Sequence, residues 1–150
     1  MPLKIDTQAP DFTLASTSGT NFTLSDTFAG KACIVYFYPK DFSSVCTAEA
    51  CEFRDAHGFF KNLGVEVVGI SRDDIETHLK FKEAHQLNFE LLTDEGAKVA
   101  STYKSVVPLL GMIRRITYLL DENHVIKAVY ESMFEAKQHI KEMIKTLEKK

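Results

Sequence analysis

Long apolar runs are missing from this chain: none approaches the roughly 20 residues needed to span a bilayer, so no membrane-crossing helix is expected. No charge of one sign dominates either. The formal net charge is −3, lysines alternate with acids, and no basic stripe suggests nucleic acid. The Lys-rich end, residues 145–150, reads as a solvated helix terminus whose cations face the negative end of the helix dipole. Cysteine is scarce. Three cysteines in 150 residues argue against a stapled secreted scaffold and for thiol chemistry or plain burial. Residues 1–12 lack the charged, apolar, then small-residue order of a secretory signal, and a cytosolic location is expected. No repeat, low-complexity tract or Pro/Gly/Ser linker divides the sequence, so a single domain over 1–150 is expected.

What is present is the composition of a globular protein, 45% hydrophobic and 26% charged, and a length able to bury roughly 70% of the unfolded surface. Residues 11–14 and 21–24, separated by the turn-rich run 16–19, predict a β-hairpin. The continuous apolar run 32–38 (ACIVYFY) predicts a strand covered on both faces, stopped by Pro39. A helix is predicted over 45–63, punctuated by Asn62 and Gly64, then a buried strand over 65–71. A helix over 73–85 follows, with Leu79 and Phe81 among its apolar positions. A short strand is predicted over 89–92, a short helix over 97–103, and two strands over 116–120 and 125–130 around a 121–124 turn. An amphipathic helix over 134–147 closes the chain, with Phe134, Ile140, Ile144 and Leu147 near helical spacing. This alternation implies an α/β sandwich with a mixed sheet and an antiparallel edge. Sites in such sheets gather where a strand's carboxyl end meets the next helix, which is where 39–46 falls.

That segment carries the chemistry. Cys46 falls in the first turn of a helix, where unpaired N–H groups and the positive dipole end favour an anion. An unperturbed thiol is only a few per cent ionised at neutral pH, and the thiolate is the nucleophile. Ser43 is placed to cap the helix and to present its hydroxyl to a ligand oxygen, while Pro39 fixes the entering backbone and shields the pocket. Cys51 lies five residues beyond Cys46. On a regular helix that separation puts the Cα atoms roughly 8 to 9 Å apart, beyond the ~7 Å limit for a disulfide. Either the two never join, or the first turns unwind; unwinding is the favoured reading. The spacing fails as a zinc pair, which uses tighter Cys-x2–4-Cys patterns. Cys33, inside the apolar run, reads as a small core residue. His57, His78, His85 and His139 share no motif and read as surface or helix-packing residues.

Pro39-x-x-x-Ser43-x-x-Cys46 is similar to the Pro-x-x-x-Thr/Ser-x-x-Cys signature of the peroxiredoxins, and with Cys51 it resembles their bacterioferritin-comigratory (peroxiredoxin Q) subfamily. The resemblance runs along nearly the whole chain. It includes Ala9-Pro10-Asp11-Phe12, Tyr36 to Asp41, Glu49-Ala50-Cys51 with Phe53-Arg54-Asp55, Gly69-Ile70-Ser71, Leu91 to Asp94 and Arg115 to Asp121. It implies a thioredoxin-like three-layer sandwich, with helices on both faces of a mixed sheet and an N-terminal hairpin extension, needing no metal or organic cofactor. It also implies that Cys46 is the peroxidatic cysteine, Ser43 the hydroxyl residue and Pro39 the shielding proline. Arg115 matches the arginine that holds thiolate and peroxide, Glu49 a glutamate beside the pocket, and Cys51 the resolving cysteine of a disulfide closed within one chain.

Arg114 competes with Arg115, since successive strand residues face opposite sides; the spacing to Thr117 and Asp121 favours Arg115. Three departures mark the chain: Ser44-Val45 where the subfamily has Pro-Gly, His124 where its turn has Gly, and one extra residue between Gly111 and Arg115. The implied function is reduction of hydrogen peroxide and organic hydroperoxides, with recycling by thioredoxin or a similar dithiol. The implied assembly is a monomer or at most a weak homodimer. A thiol–disulfide reductase would show Cys-x-x-Cys, and a glutathione-peroxidase-type enzyme needs Gln and Trp partners, whereas tryptophan is absent here. The rival from another class is a redox-sensing or holdase-type binding module that uses the same disulfide as a switch.

Overall fold

A computed structural model describes residues 2–107 and 111–131 together with Met143 and Lys145. Seven strands form one sheet in the order β2-β1-β5-β4-β3-β6-β7. They are β1 (Thr13–Ser16), β2 (Asn21–Thr23), β3 (Ala32–Phe37), β4 (Val65–Ser71), β5 (Glu90–Thr93), β6 (Ile116–Leu120) and β7 (Ile126–Glu131). Strands β3, β4 and β5 run parallel, as crossover helices require, while β6, β7 and the β1–β2 hairpin are antiparallel to their neighbours. Helices α1 (Leu24–Thr27), α2 (Ser44–Asn62), α3 (Ile75–Ala84) and α4 (Lys98–Thr102) complete the described elements, with a 3-10 turn at Glu95–Ala97.

Strand β3 explains how the layers form. Its side chains alternate between faces: Cys33, Val35 and Phe37 enter one buried cluster, and Ile34 and Tyr36, followed by Tyr38, enter another. The first cluster packs Leu24 of α1 and Ala100 of α4. The second packs Cys46, Ala50, Phe53 and Phe60 of α2, Phe81 of α3, and Met143. An unbroken apolar run is what a strand buried on both sides demands. Gly69 in β4 has a packing role, since a Cβ there would meet the Tyr36 ring at 2.7 Å. The absence of a side chain makes room for that ring, which stacks on Phe53 of α2 at 4.5 Å.

Differences from the expected elements have local causes. The first hairpin strand lies two residues later than 11–14, because the Asp11 carboxylate accepts from the Ser25 N–H at 2.9 Å and its hydroxyl at 2.6 Å. That long-range cap also stabilises α1, a single turn with no local signal of its own. Helix α3 starts at Ile75 because Asp74 is its N-cap and accepts from the Thr77 N–H at 2.8 Å. Along α3, Leu79 is exposed and His78 takes the inward position. The helix expected over 134–147 lies outside the described residues except for Met143, which is buried, and Lys145.

Candidate active site

Strand β3 delivers the chain into the loop 38–43, which covers the start of α2. The Asp41 carboxylate is buried there and fully partnered. It accepts from the Tyr38 hydroxyl at 2.6 Å and meets His78 Nδ1 at 2.6 Å, while the Asp41 N–H donates to Asp73 Oδ2 at 2.8 Å. His78 Nε2 stands 3.0 Å from the Leu92 carbonyl. A carbonyl can only accept, so the contact to Leu92 is made by an Nε2–H donor. Asp41 and His78 are a buried pair that ties the loop to α3 and, through Asp73, to the end of β4. Phe42, next in sequence, adopts a left-handed φ of 65° and lays its ring edge-on against Phe81 at 5.1 Å. Such a conformation in a bulky residue is strained and persists only where the surroundings impose it.

Ser43 is the N-cap of α2 by backbone conformation, but its side chain does not cap. Its hydroxyl donates to the Lys40 carbonyl at 2.8 Å. The expected capping bond is thus replaced by a bond that closes the loop on itself. Pro39 is half-buried at the loop's entry.

Cys46 occupies the third position of α2, only 2% exposed. Its surroundings are nevertheless not purely apolar, because Sγ lies 3.0 Å from Arg115 Nη2. The other guanidinium nitrogen, Nη1, is ion-paired with Glu49, one turn along α2 from Cys46. Burial pushes the Glu49 carboxyl up to about 7, although Arg115 pulls it the other way. Burial alone would weaken the charge on Arg115, yet Glu49 and the Cys46 sulfur hold the guanidinium more firmly protonated than usual. Arg114 points away and pairs with Glu131 of β7. Four buried polar atoms around this site have no hydrogen-bond partner among the described residues: Tyr36 Oη, Glu49 Oε2, Arg115 Nε and Thr117 Oγ1. Such groups cost free energy unless a ligand or water engages them, and they concentrate at functional sites.

The remaining cysteines separate cleanly. All three thiols are free. Cys33 is fully enclosed, and burial together with Glu66 pushes its thiol up to about 12. Cys51 is half-buried on α2, with Sγ 4.0 Å from His85 Nδ1. Of the residues singled out in the sequence, Cys46, Arg115 and Glu49 are brought into contact. Pro39 and Ser43 frame the loop beside them. Asp41, Phe42, His78 and His85 were missed as site components. A signal existed, since His78, Phe81 and His85 recur at i, i+3 and i+7, the spacing of one helical face. A second departure is explained here as well. His124 adopts a left-handed φ of 61° at the turn position where glycine is the easier choice, and its Nε2 sits 2.9 Å from the Phe28 carbonyl, which fixes the turn to the α1–β3 loop.

Comparison with known proteins fits this geometry. The AhpC/TSA family model matches residues 5–129, and the chain belongs to that family. The peroxiredoxin Q of Suaeda salsa, a chloroplastic protein, is 44% identical over 140 residues, covering 93% of this chain and 65% of its own length. That of Sedum lineare is 44% identical over 140 residues, covering 93% and 75%. The chain thus spans 65%, less than two thirds, of the first of these curated relatives and 75% of the second. The crystal structure of peroxidoxin BcpB from Mycobacterium tuberculosis superposes with a TM-score of 0.89 at 30% identity over 97% of both chains. The bacterioferritin comigratory protein of Xanthomonas campestris gives 0.83 at 24% identity over 91% and 90%, a likeness of fold. The architecture is the thioredoxin-like sandwich of the peroxiredoxins. Among the described residues no helix is long and apolar enough to cross a membrane.

Proposed function

We propose that the chain is a thiol-dependent peroxidase that reduces hydroperoxides at Cys46. The observation that carries this is the 3.0 Å approach of Arg115 Nη2 to the Cys46 sulfur in the first turn of α2. A cation and a helix N-terminus act together on one sulfur, and both favour the thiolate. The thiolate attacks one peroxide oxygen. An S–O bond forms, the O–O bond breaks, and the other oxygen leaves with a proton as water or an alcohol. Arg115 stabilises the charge that builds on the oxygens in the transition state, and the half-buried Ser43 hydroxyl adds a further polar contact beside it.

Cys46 is left as a sulfenic acid, which a second thiol condenses to a disulfide. Cys51 is the resolving thiol in this reading. It shares a regular helix with Cys46, so the first turns of α2 open before the two sulfurs meet. An external dithiol such as thioredoxin then exchanges with the disulfide and restores both thiols. A cytosolic enzyme, a monomer or at most a weak homodimer, is part of the same proposal, and a reducing compartment supplies the dithiol.

Mass spectrometry after one equivalent of peroxide is the direct test. A Cys46–Cys51 link with Cys33 free supports the cycle, and an unmodified Cys46 refutes it. Steady-state peroxide turnover with a thioredoxin system separates an enzyme from a redox-sensing module, which needs only stoichiometric oxidation.

A further inference from the structure

The face of α3 that presents His78 to the loop continues two turns further to His85, at the C-cap of the helix. Its Nδ1 lies 4.0 Å from the Sγ of Cys51, at the outer edge of sulfur hydrogen bonding. Catalytic contacts of this kind are commonly long in a resting enzyme and tighten during reaction. The placement is built rather than incidental. The His85 carbonyl accepts from Arg54 Nη1 at 2.8 Å, and Arg54 lies three residues after Cys51 on α2. The contact that ties α3 to α2 therefore seats the imidazole beside the sulfur. The ring is further held edge-on by Phe81 at 5.1 Å and faces Phe42 at 6.3 Å. Cys51 is half-buried, so the pair has access to solvent and to a partner thiol.

We infer that His85 is the base of the resolving step, taking the proton of the Cys51 thiol as that sulfur attacks Cys46. This rests on the peroxidase reading, which makes Cys51 the resolving sulfur. In the step, the Cys51 S–H bond breaks and its proton passes to His85. The S–S bond forms as the S–O bond of the Cys46 sulfenic acid breaks. The departing hydroxide takes the proton from His85 and leaves as water. The Cys51 sulfur is oxidised, the Cys46 sulfur is reduced, and no outside oxidant or proton is consumed. In the reverse sense, a protonated His85 supplies the proton when the external dithiol displaces the Cys51 thiolate. Among the described residues, the ionisable groups that interact with Cys51 are His85 from α3 and Arg54 from its own helix, whose guanidinium is within electrostatic reach of the sulfur. Arg54 keeps its charge throughout the neutral range and accepts no proton, which leaves His85 to move it.

The test uses the full chain carrying Cys46→Ser, with iodoacetamide as probe and mass spectrometry reading Cys51 alkylation at pH 7. Adding His85→Ala is expected to slow alkylation at least about tenfold, in line with the loss of a general base, and free imidazole is expected to restore part of the rate. His85→Gln, which keeps a polar side chain of similar reach and so guards against misfolding, is expected to be as slow as His85→Ala. An unchanged rate in either variant, or slowing that imidazole leaves uncorrected, overturns the role of His85. The peroxidase reading fails separately. If the parent chain forms no Cys46–Cys51 link after one equivalent of peroxide, Cys51 has no resolving step for His85 to assist, whatever the alkylation rates.

Discussion

Cys33 and Cys46 are equally hidden from solvent, yet they face charges of opposite sign. Both have at most 2% exposure, and both sit in hydrophobic clusters against β3. Around Cys33 burial keeps the thiol protonated, and the charge of Glu66 adds to it. Around Cys46 the Arg115 guanidinium approaches to 3.0 Å and a helix N-terminus faces the sulfur. Equal burial thus leaves the two sulfurs in different electrostatic settings, one beside a carboxylate and one beside a guanidinium.

The sharpest way to break this contrast is to remove each sulfur in turn. Cys46→Ser is expected to abolish peroxide consumption in a coupled assay, while Cys33→Ala leaves turnover at the parent level. Equal losses in both would end the distinction. Next in size is Arg115→Met, expected to slow the second-order reaction with peroxide by about 10²–10³, the usual effect of deleting one transition-state donor. Arg114→Met, whose partner is the surface Glu131, serves as its control, and stopped-flow tyrosine fluorescence reads both.

Stability tests follow. His78→Leu leaves the Asp41 carboxylate buried without its partner and is expected to cost about 3–5 kcal/mol, read from urea midpoints. A loss well below that would mean that Tyr38 alone satisfies Asp41. The pH dependence concerns Glu49. Its carboxyl ionises near 4.5 in an unfolded chain and at about 7 in the fold. Between those values the native state holds the extra proton, so stability is full below about pH 4.5 and declines as pH rises to about 7. The size is on the order of 3 kcal/mol at most. Glu49→Gln is expected to flatten urea midpoints between pH 5 and 8, and an unchanged slope refutes the assignment. The smallest effect is Cys33→Ala on stability, about 1–2 kcal/mol from the small cavity it leaves.

Much of this was legible in the sequence where one local rule governed. The strand at 65–71 is Val65–Ser71 without adjustment, because an apolar, β-branched run bounded by Gly64 admits little else. The motif residue Cys46 lies 3.0 Å from Arg115, while Arg114 pairs with Glu131. What stayed hidden depends on partners far along the chain. Ser43 looked like a side-chain cap, but the loop turns its hydroxyl to Lys40. Asp41 was legible only as part of the motif Tyr36 to Asp41, and its partners Tyr38, His78 and Asp73 become visible only in the fold. His78 and His85 carried a helical period of their own, overlooked because no motif surrounded them.

Glu49 lies between the two cysteines on one helix and is held to Arg115 by an ion pair. If Cys46 is to reach Cys51, the turn containing that anchor loosens, and the sulfur leaves its cation. Each catalytic cycle is then also a cycle of partial melting and regrowth. Firmness at the start of α2 protects the reduced protein but delays resolution, which prolongs the sulfenic acid and its risk of further oxidation. A sturdier helix would make a hardier molecule with a shorter working life under oxidant.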